Sequence, residues 1–171
     1  FWSETEQCYV LYYRVYRIPE GAKDPLRSVA RRVSKDFFQW SEPVILDMNR
    51  PNEHLYVSLF APYCRAPHFY LGTPTRFFED RGAATDVTFC HTRNGIAVQR
   101  PFPGAWILPG LDAERWGNRS NYAACNIVQT TPDELSLYHV RSRIRYIMRV
   151  DGFASLRAGL DGGEWISRPL R

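Results

Sequence analysis

Hydrophobic and polar positions alternate along Val87-Thr88-Phe89-Cys90, break off at Thr92-Arg93-Asn94-Gly95, and alternate again along Ile96-Ala97-Val98-Gln99. A period of two puts every second side chain on the same face of an extended strand. An Asn-Gly pair readily takes the positive φ angles of a type I′ turn, so residues 86–106 predict a hairpin. Similar runs occupy residues 9–16, 28–33, 43–46, 54–60, 68–72, 121–129, 134–140, 144–150 and 153–157. Segments rich in Pro, Gly and charge separate them, at 17–25, 62–67, 79–85 and 108–119. Helical spacing of apolar residues is missing from every span longer than about ten residues, so the predicted class is all-β.

A longer period overlies the short one. Asp36, Asn94 and Asp151 each follow a strand-like run and open a turn; 58 residues separate the first two and 57 the second two. A near-constant spacing marks a repeated supersecondary unit, and units of about four strands and roughly 40–60 residues are what propeller blades look like in sequence. The expectation is a partial β-propeller of about three four-stranded antiparallel blades, at residues 1–48, 53–108 and 119–158. Residues 159–171 would begin a following strand or module. A β-sandwich is the alternative, but it does not require the long period. Three blades alone leave sheet edges open, and Phe1-Trp2 reads as the middle of an element, so the chain reads as a piece of a longer propeller.

Composition narrows the partners. Hydrophobic residues make up 44% and aromatic residues 15%, which fits a folded domain. No apolar run approaches the roughly 18–20 residues of a membrane-spanning helix. The net charge is +4, but the 20 Arg and 2 Lys are scattered through strands and loops alike, which argues against a nucleic-acid partner. Cys8, Cys64, Cys90 and Cys125 have no metal-ligand spacing, so a zinc site is not expected. One disulfide is possible, with its pairing open.

Three segments carry a family resemblance. Phe1-Trp-Ser-Glu4 with Tyr9-Val-Leu-Tyr-Tyr-Arg14, Asp36-Phe-Phe-Gln-Trp40-Ser-Glu-Pro43, and Thr92-Arg-Asn-Gly95-Ile96 resemble blades of the five-bladed propeller glycosidases. That clan includes invertase-like, levansucrase-like and arabinanase-like enzymes. The resemblance implies hydrolysis of glycosidic bonds by carboxylates in a central funnel, without a cofactor, on an oligosaccharide or polysaccharide. It also implies further blades or a C-terminal β-sandwich as neighbours. The clan's Arg-Asp-Pro motif has its nearest counterpart in Arg65-Ala66-Pro67, with Ala66 where the carboxylate would stand, and its Glu-Cys-Pro motif has none. A propeller that binds sugar without cleaving it is therefore the second expectation.

Candidate site residues follow from that picture. Asp86 opens a strand after a charged insertion and could reach a funnel rim, or simply accept from backbone amides. Glu134 alternates with Ser136 and Tyr138 on one face, as a second acid or as a charge at a hairpin edge. His68 and His139 sit in comparable strands, facing sugar hydroxyls or buried and hydrogen-bonded. Arg65, Arg119 and Asn121 flank inner strands and could donate to a sugar, or to its carboxylate or sulfate. Trp116, with Trp106, brackets an irregular stretch and offers a ring for stacking.

Overall fold

The computed structural model describes residues 1–21, 23–109, 120–140, 144–155 and 157–166. The described residues form four antiparallel sheets with one 3₁₀ turn, Glu79–Arg81. They form no closed barrel or ring. Among the described residues no helix is long and apolar enough to cross a membrane.

The first sheet is a meander of β1 (Trp2–Ser3), β2 (Cys8–Arg17), β3 (Leu26–Ser34) and β4 (Val44–Ile45), in that order. β2 and β3 pair without a slip from Tyr9 opposite Ser34 to Arg17 opposite Leu26. The alternation in β2 explains the fixed register: Cys8, Val10 and Tyr12 share one face and are buried. A one-residue slip would turn that whole set to water.

The middle of the chain supplies β5 (His54–Val57), β6 (Phe60–Tyr63), β7 (Ala66–Gly72), β8 (Thr75–Phe78), β9 (Ala84–Val87), β10 (Cys90–Thr92) and β11 (Val98–Gln99). They form two sheets, ordered β5-β8-β9 and β11-β10-β7-β6. The two share one register. Val57 faces Thr75 and, three residues along each strand, Phe60 faces Gly72; Thr75 faces Val87, and Gly72 faces Cys90. Hydrogen bonds carry the ladder across the join, from Thr73 N to Leu59 O at 2.9 Å and from Thr88 N to Pro74 O at 2.9 Å. The seven strands are thus one meander, bent between β5 and β6, β7 and β8, and β9 and β10. Pro74 has no N–H to give at the bend. Gly72 admits its neighbours closely: a Cβ there would stand 2.5 Å from Cys90 Sγ and 2.7 Å from the Phe60 ring.

The last sheet orders β12 (Val128–Thr131), β13 (Glu134–Tyr138) and β14 (Arg145–Arg149), with an isolated bridge between Ala123 and His139. It has three strands among the described residues instead of four, and the run at 153–157 forms none among them. The bent meander separates two apolar clusters. On one side Phe60, Tyr70 and Cys90 pack with Val10 and Tyr12 of the first sheet; on the other Leu71, Val87 and Phe89 pack with Leu135 and Leu137 of the last. Adjacent Tyr70 and Leu71 point to opposite clusters, as the period of two requires.

The turn after β10 differs from the expected type I′ pair. Pairing with β11 ends at Thr92 opposite Val98, and only Gly95 of the connecting residues has a positive φ, +74°. Asn94 Oδ1 instead accepts from the N–H groups of Ile96 at 3.1 Å and Ala97 at 2.7 Å. A short polar side chain that captures backbone donors makes a wider Asx-type loop. Asp36 builds the same loop after β3, accepting from Phe38 N at 2.9 Å, Gln39 N at 2.7 Å and Ser34 Oγ at 3.0 Å. Phe37 takes the positive φ there, 67°. Asp151 does not repeat the arrangement: it is itself at φ 61°, and its carboxylate accepts from Tyr63 and Arg65.

Candidate functional site

Antiparallel meanders send alternate connections to opposite ends of a sheet. In the first sheet, the paired ends Arg17 and Leu26 lie at one end and residues 4–7 and 35–43 at the other. In the bent meander, 79–83 lies opposite 64–65 and 93–97; in the last sheet, the paired ends Tyr138 and Arg145 lie opposite 132–133. Contacts between sheets align these ends. Tyr12 Oη donates to Gly95 O at 2.7 Å, Tyr70 Oη donates to Glu6 at 2.6 Å, and Asp151 accepts from Arg65, all at the end that holds the Asx loops. At the other end Arg27 donates to Glu79 at 3.0 Å, and Val140 N donates to Tyr122 O at 3.0 Å. This second end, the loop end, also takes residues 46–53, which join the first sheet to the bent meander.

Just inside the loop end lies a buried network of two carboxylates and two guanidiniums. Arg76 on β8 binds Asp86 on β9 through two hydrogen bonds of 2.7 Å. Glu53 stands 3.8 Å from Arg76 and accepts from Arg100, one bond being 3.0 Å. Arg100 also donates to Met48 O at 2.9 Å, and Arg50 N donates to Glu53 at 3.1 Å. Burial alone would raise the Glu53 carboxyl; hydrogen bonds from Arg100 and Arg50 N, with both guanidinium charges, outweigh it and hold the carboxyl below its ordinary range. Such a carboxylate accepts hydrogen bonds and does not supply a proton near neutrality.

Above the network an open recess of about 460 Å³ is lined by Arg50, Glu53, His54, Phe77, Phe78 and Glu79, among others. Beside it runs a shelf of arginines and rings. The Arg27 guanidinium lies 4.7 Å from the Phe77 ring centre and 5.7 Å from that of Tyr56. The Arg14 guanidinium lies 4.8 Å from the Tyr56 centre. Tyr56 and Phe77 stack on each other at 5.5 Å. Glu79 is held below the ordinary carboxylate range, chiefly by its hydrogen bond from Arg27.

The residues singled out in the sequence fall into two groups. Asp86, Asn121 and His139 lie at the loop end. Asn121 is fully buried; its N–H bonds Thr85 Oγ1 at 2.6 Å and its amide bonds Ile107 O at 2.9 Å. His139 is buried beside the bridge to Ala123. Glu134, Arg65 and His68 lie toward the other end. Glu134 accepts from Thr130 Oγ1 at 2.9 Å and from Arg145, while Arg65 pairs with Asp151 and His68 is exposed on β7. Asp86 and Glu134 are therefore not brought together: Asp86 to Thr92 alone spans roughly 20 Å of strand, far beyond the roughly 5–9.5 Å between glycosidase carboxyls. Trp116 and Arg119 lie outside the described residues. Trp106 anchors the core, 5.1 Å from Phe89.

Sequence reasoning missed Glu53, His54, Arg76 and Arg100. Arg76 and Asp86 stand five residues either side of Arg81, within the β8–β9 turn, and that spacing could have paired them. The shelf residues Arg14, Tyr16, Arg27, Tyr56 and Phe77 were missed as well. They come from strands that sequence spacing does not bring together.

No family model and no curated protein matches the sequence. Among solved structures, the chain is similar to one of BT0996 in a complex with RGII. The TM-score is 0.57 at 14% identity, over 86% of this chain and 42% of that one. The likeness shows a common all-β fold, and this chain spans less than half the length of the structure it matches.

Proposed function

We propose that this chain is part of a carbohydrate-active β-propeller whose sugar ligand meets the loop end. The likeness in fold to BT0996, a carbohydrate-active protein whose matching structure is of a complex with RGII, carries the reading. The successive meanders with aligned ends support it, since propeller blades stack in this way. The finer reading, a glycoside hydrolase, would use Asp86 at the loop end together with a proton donor from another blade. A non-catalytic sugar-binding propeller is the second reading. It is favoured by the saturation of Asp86 and Glu53 with guanidinium partners.

The test uses the full protein that carries this chain, with oligosaccharides released from RGII. Calorimetric titration reads binding, and the appearance of reducing ends reads hydrolysis. Binding with hydrolysis that falls at least tenfold in Asp86→Asn supports the enzyme. Binding without hydrolysis supports the sugar-binding module. Hydrolysis unchanged in both Asp86→Asn and Glu134→Gln removes these two acids from the mechanism, and absence of any sugar binding sinks the proposal.

A further inference from the structure

Building on the sugar-binding reading, we propose that the shelf of Arg14, Tyr16 and Tyr56 binds the carboxylate of an acidic sugar residue. β2 carries Cys8, Val10, Tyr12, Arg14 and Tyr16 on one face. The first three are buried against the bent meander, whereas Arg14 and Tyr16 lie over its β5 strand and are exposed. Beneath them Tyr56 turns its ring toward Arg14 at 4.8 Å, and Tyr16 lies 6.0 Å from the same guanidinium. Among the described residues the Arg14 guanidinium has no carboxylate partner, and its one hydrogen bond is a long 3.4 Å contact to Tyr56 O.

Its neighbour differs. Arg27 is packed between Tyr16, Tyr56 and Phe77, and its charge is met by Glu79 at 3.0 Å. Among the described residues the shelf thus holds two guanidiniums and a single carboxylate, one positive charge more than negative. Contact with the Tyr56 ring at 4.8 Å restrains the Arg14 side chain before any ligand arrives, so less side-chain entropy is lost on binding. A planar fork with free N–H donors matches a carboxylate through two parallel hydrogen bonds. The exposed Tyr16 ring beside it, 57% accessible, offers an apolar plane for the C–H face of the sugar ring. A neutral sugar would use the ring but leave the charge unmet, and a small anion would use the charge but not the ring.

Trigalacturonate, its methyl ester and neutral galactotriose serve as probes in calorimetric titrations of the full protein, with inorganic phosphate as the bare-anion control. The expected result is that trigalacturonate binds at least tenfold more tightly than its ester. Arg14→Ala abolishes that preference, Arg14→Lys recovers only part of it, and added salt weakens it. Arg14 is exposed, so the variants should keep the wild-type unfolding midpoint; circular dichroism checks this. Equal affinity for acid and ester, or a preference that survives Arg14→Ala, overturns this inference alone and leaves the sugar-binding reading standing. Phosphate that competes as well as trigalacturonate reduces the shelf to an anion site and also overturns it. No binding of any saccharide overturns both proposals together.

Discussion

Glu53, Arg76, Asp86 and Arg100 can leave water together because each charge finds an opposite one: their side chains are only 7–12% exposed. Removing one member strands another in a poorly solvated place. Arg76→Ala should therefore lower stability by about 3 kcal/mol, as breaking a buried ion pair does, read from urea unfolding; a loss under about 1 kcal/mol, the range of exposed pairs, would mean that water reaches the network. The same network makes stability depend on pH. The Glu53 carboxyl lies below its ordinary range when folded, so the unfolded chain takes up the proton more readily. Its contribution is fully present above the unfolded value of roughly 4.3 and is lost as pH falls through the lower folded value. The urea midpoint should fall on acidification below about pH 4.3, and Glu53→Gln should flatten that fall. At this scale the sequence marked Asp86 as a polar residue at the start of a strand. Its partner depends on strand register about the β8–β9 turn, which the alternation of either strand alone does not give, although the even spacing of Arg76 and Asp86 about Arg81 hints at it.

The two Asx loops show what a local pattern does and does not specify. Thr92-Arg93-Asn94-Gly95 was legible as a turn, and the spacing from Asp36 to Asn94 proved to be a real repeat of structure. The turn type was not legible, because Asn94 takes the backbone donors that a tight I′ turn would place elsewhere. Asn94→Ala should cost about 1 kcal/mol through loss of its two acceptor bonds. Gly95→Ala should cost about 1–2 kcal/mol from its left-handed backbone, and more where the new Cβ meets Arg31 Nε at 2.9 Å. Equal stability of the Gly95 variant and wild type would contradict the positive φ. The bend of the middle meander rests on Gly72 in a similar way. Gly72→Ala should destabilise by about 1–3 kcal/mol through overpacking. Removing the nearest obstacle should soften this, so Gly72→Ala with Cys90→Ala should cost less than the two changes summed. Additive losses would show that the close approach to Cys90 Sγ is not what constrains the residue.

For the molecule as a whole, the period of two was enough to predict an all-β chain, and it placed most strands within a few residues. It could not show that β5 to β10 are three long strands broken at one bend, because a bend leaves alternation intact on both sides. Nor could it place Asp86 and Glu134 at opposite ends, since that depends on how many times the chain reverses between them. The arrangement of sheets also leaves a face uncovered. The first sheet packs one face on the bent meander; the other carries Trp2, Leu11 and Ile45 at 38%, 40% and 48% exposure, beside Phe38 at 87%. Cross-strand pairing puts Tyr9 next to Trp2, extending the apolar surface into a T-shaped ring contact at 5.0 Å. Apolar surface of this kind is soluble only when something covers it. The 171-residue chain on its own should therefore self-associate as its concentration rises, which sedimentation velocity would detect. Leu11→Lys with Ile45→Lys should shift it toward monomer, because burying two ammonium groups in a contact costs far more than the apolar area returns. A cooperative, high-melting monomer at every concentration would show that this face needs no cover, and would count against its being the surface on which another sheet stacks.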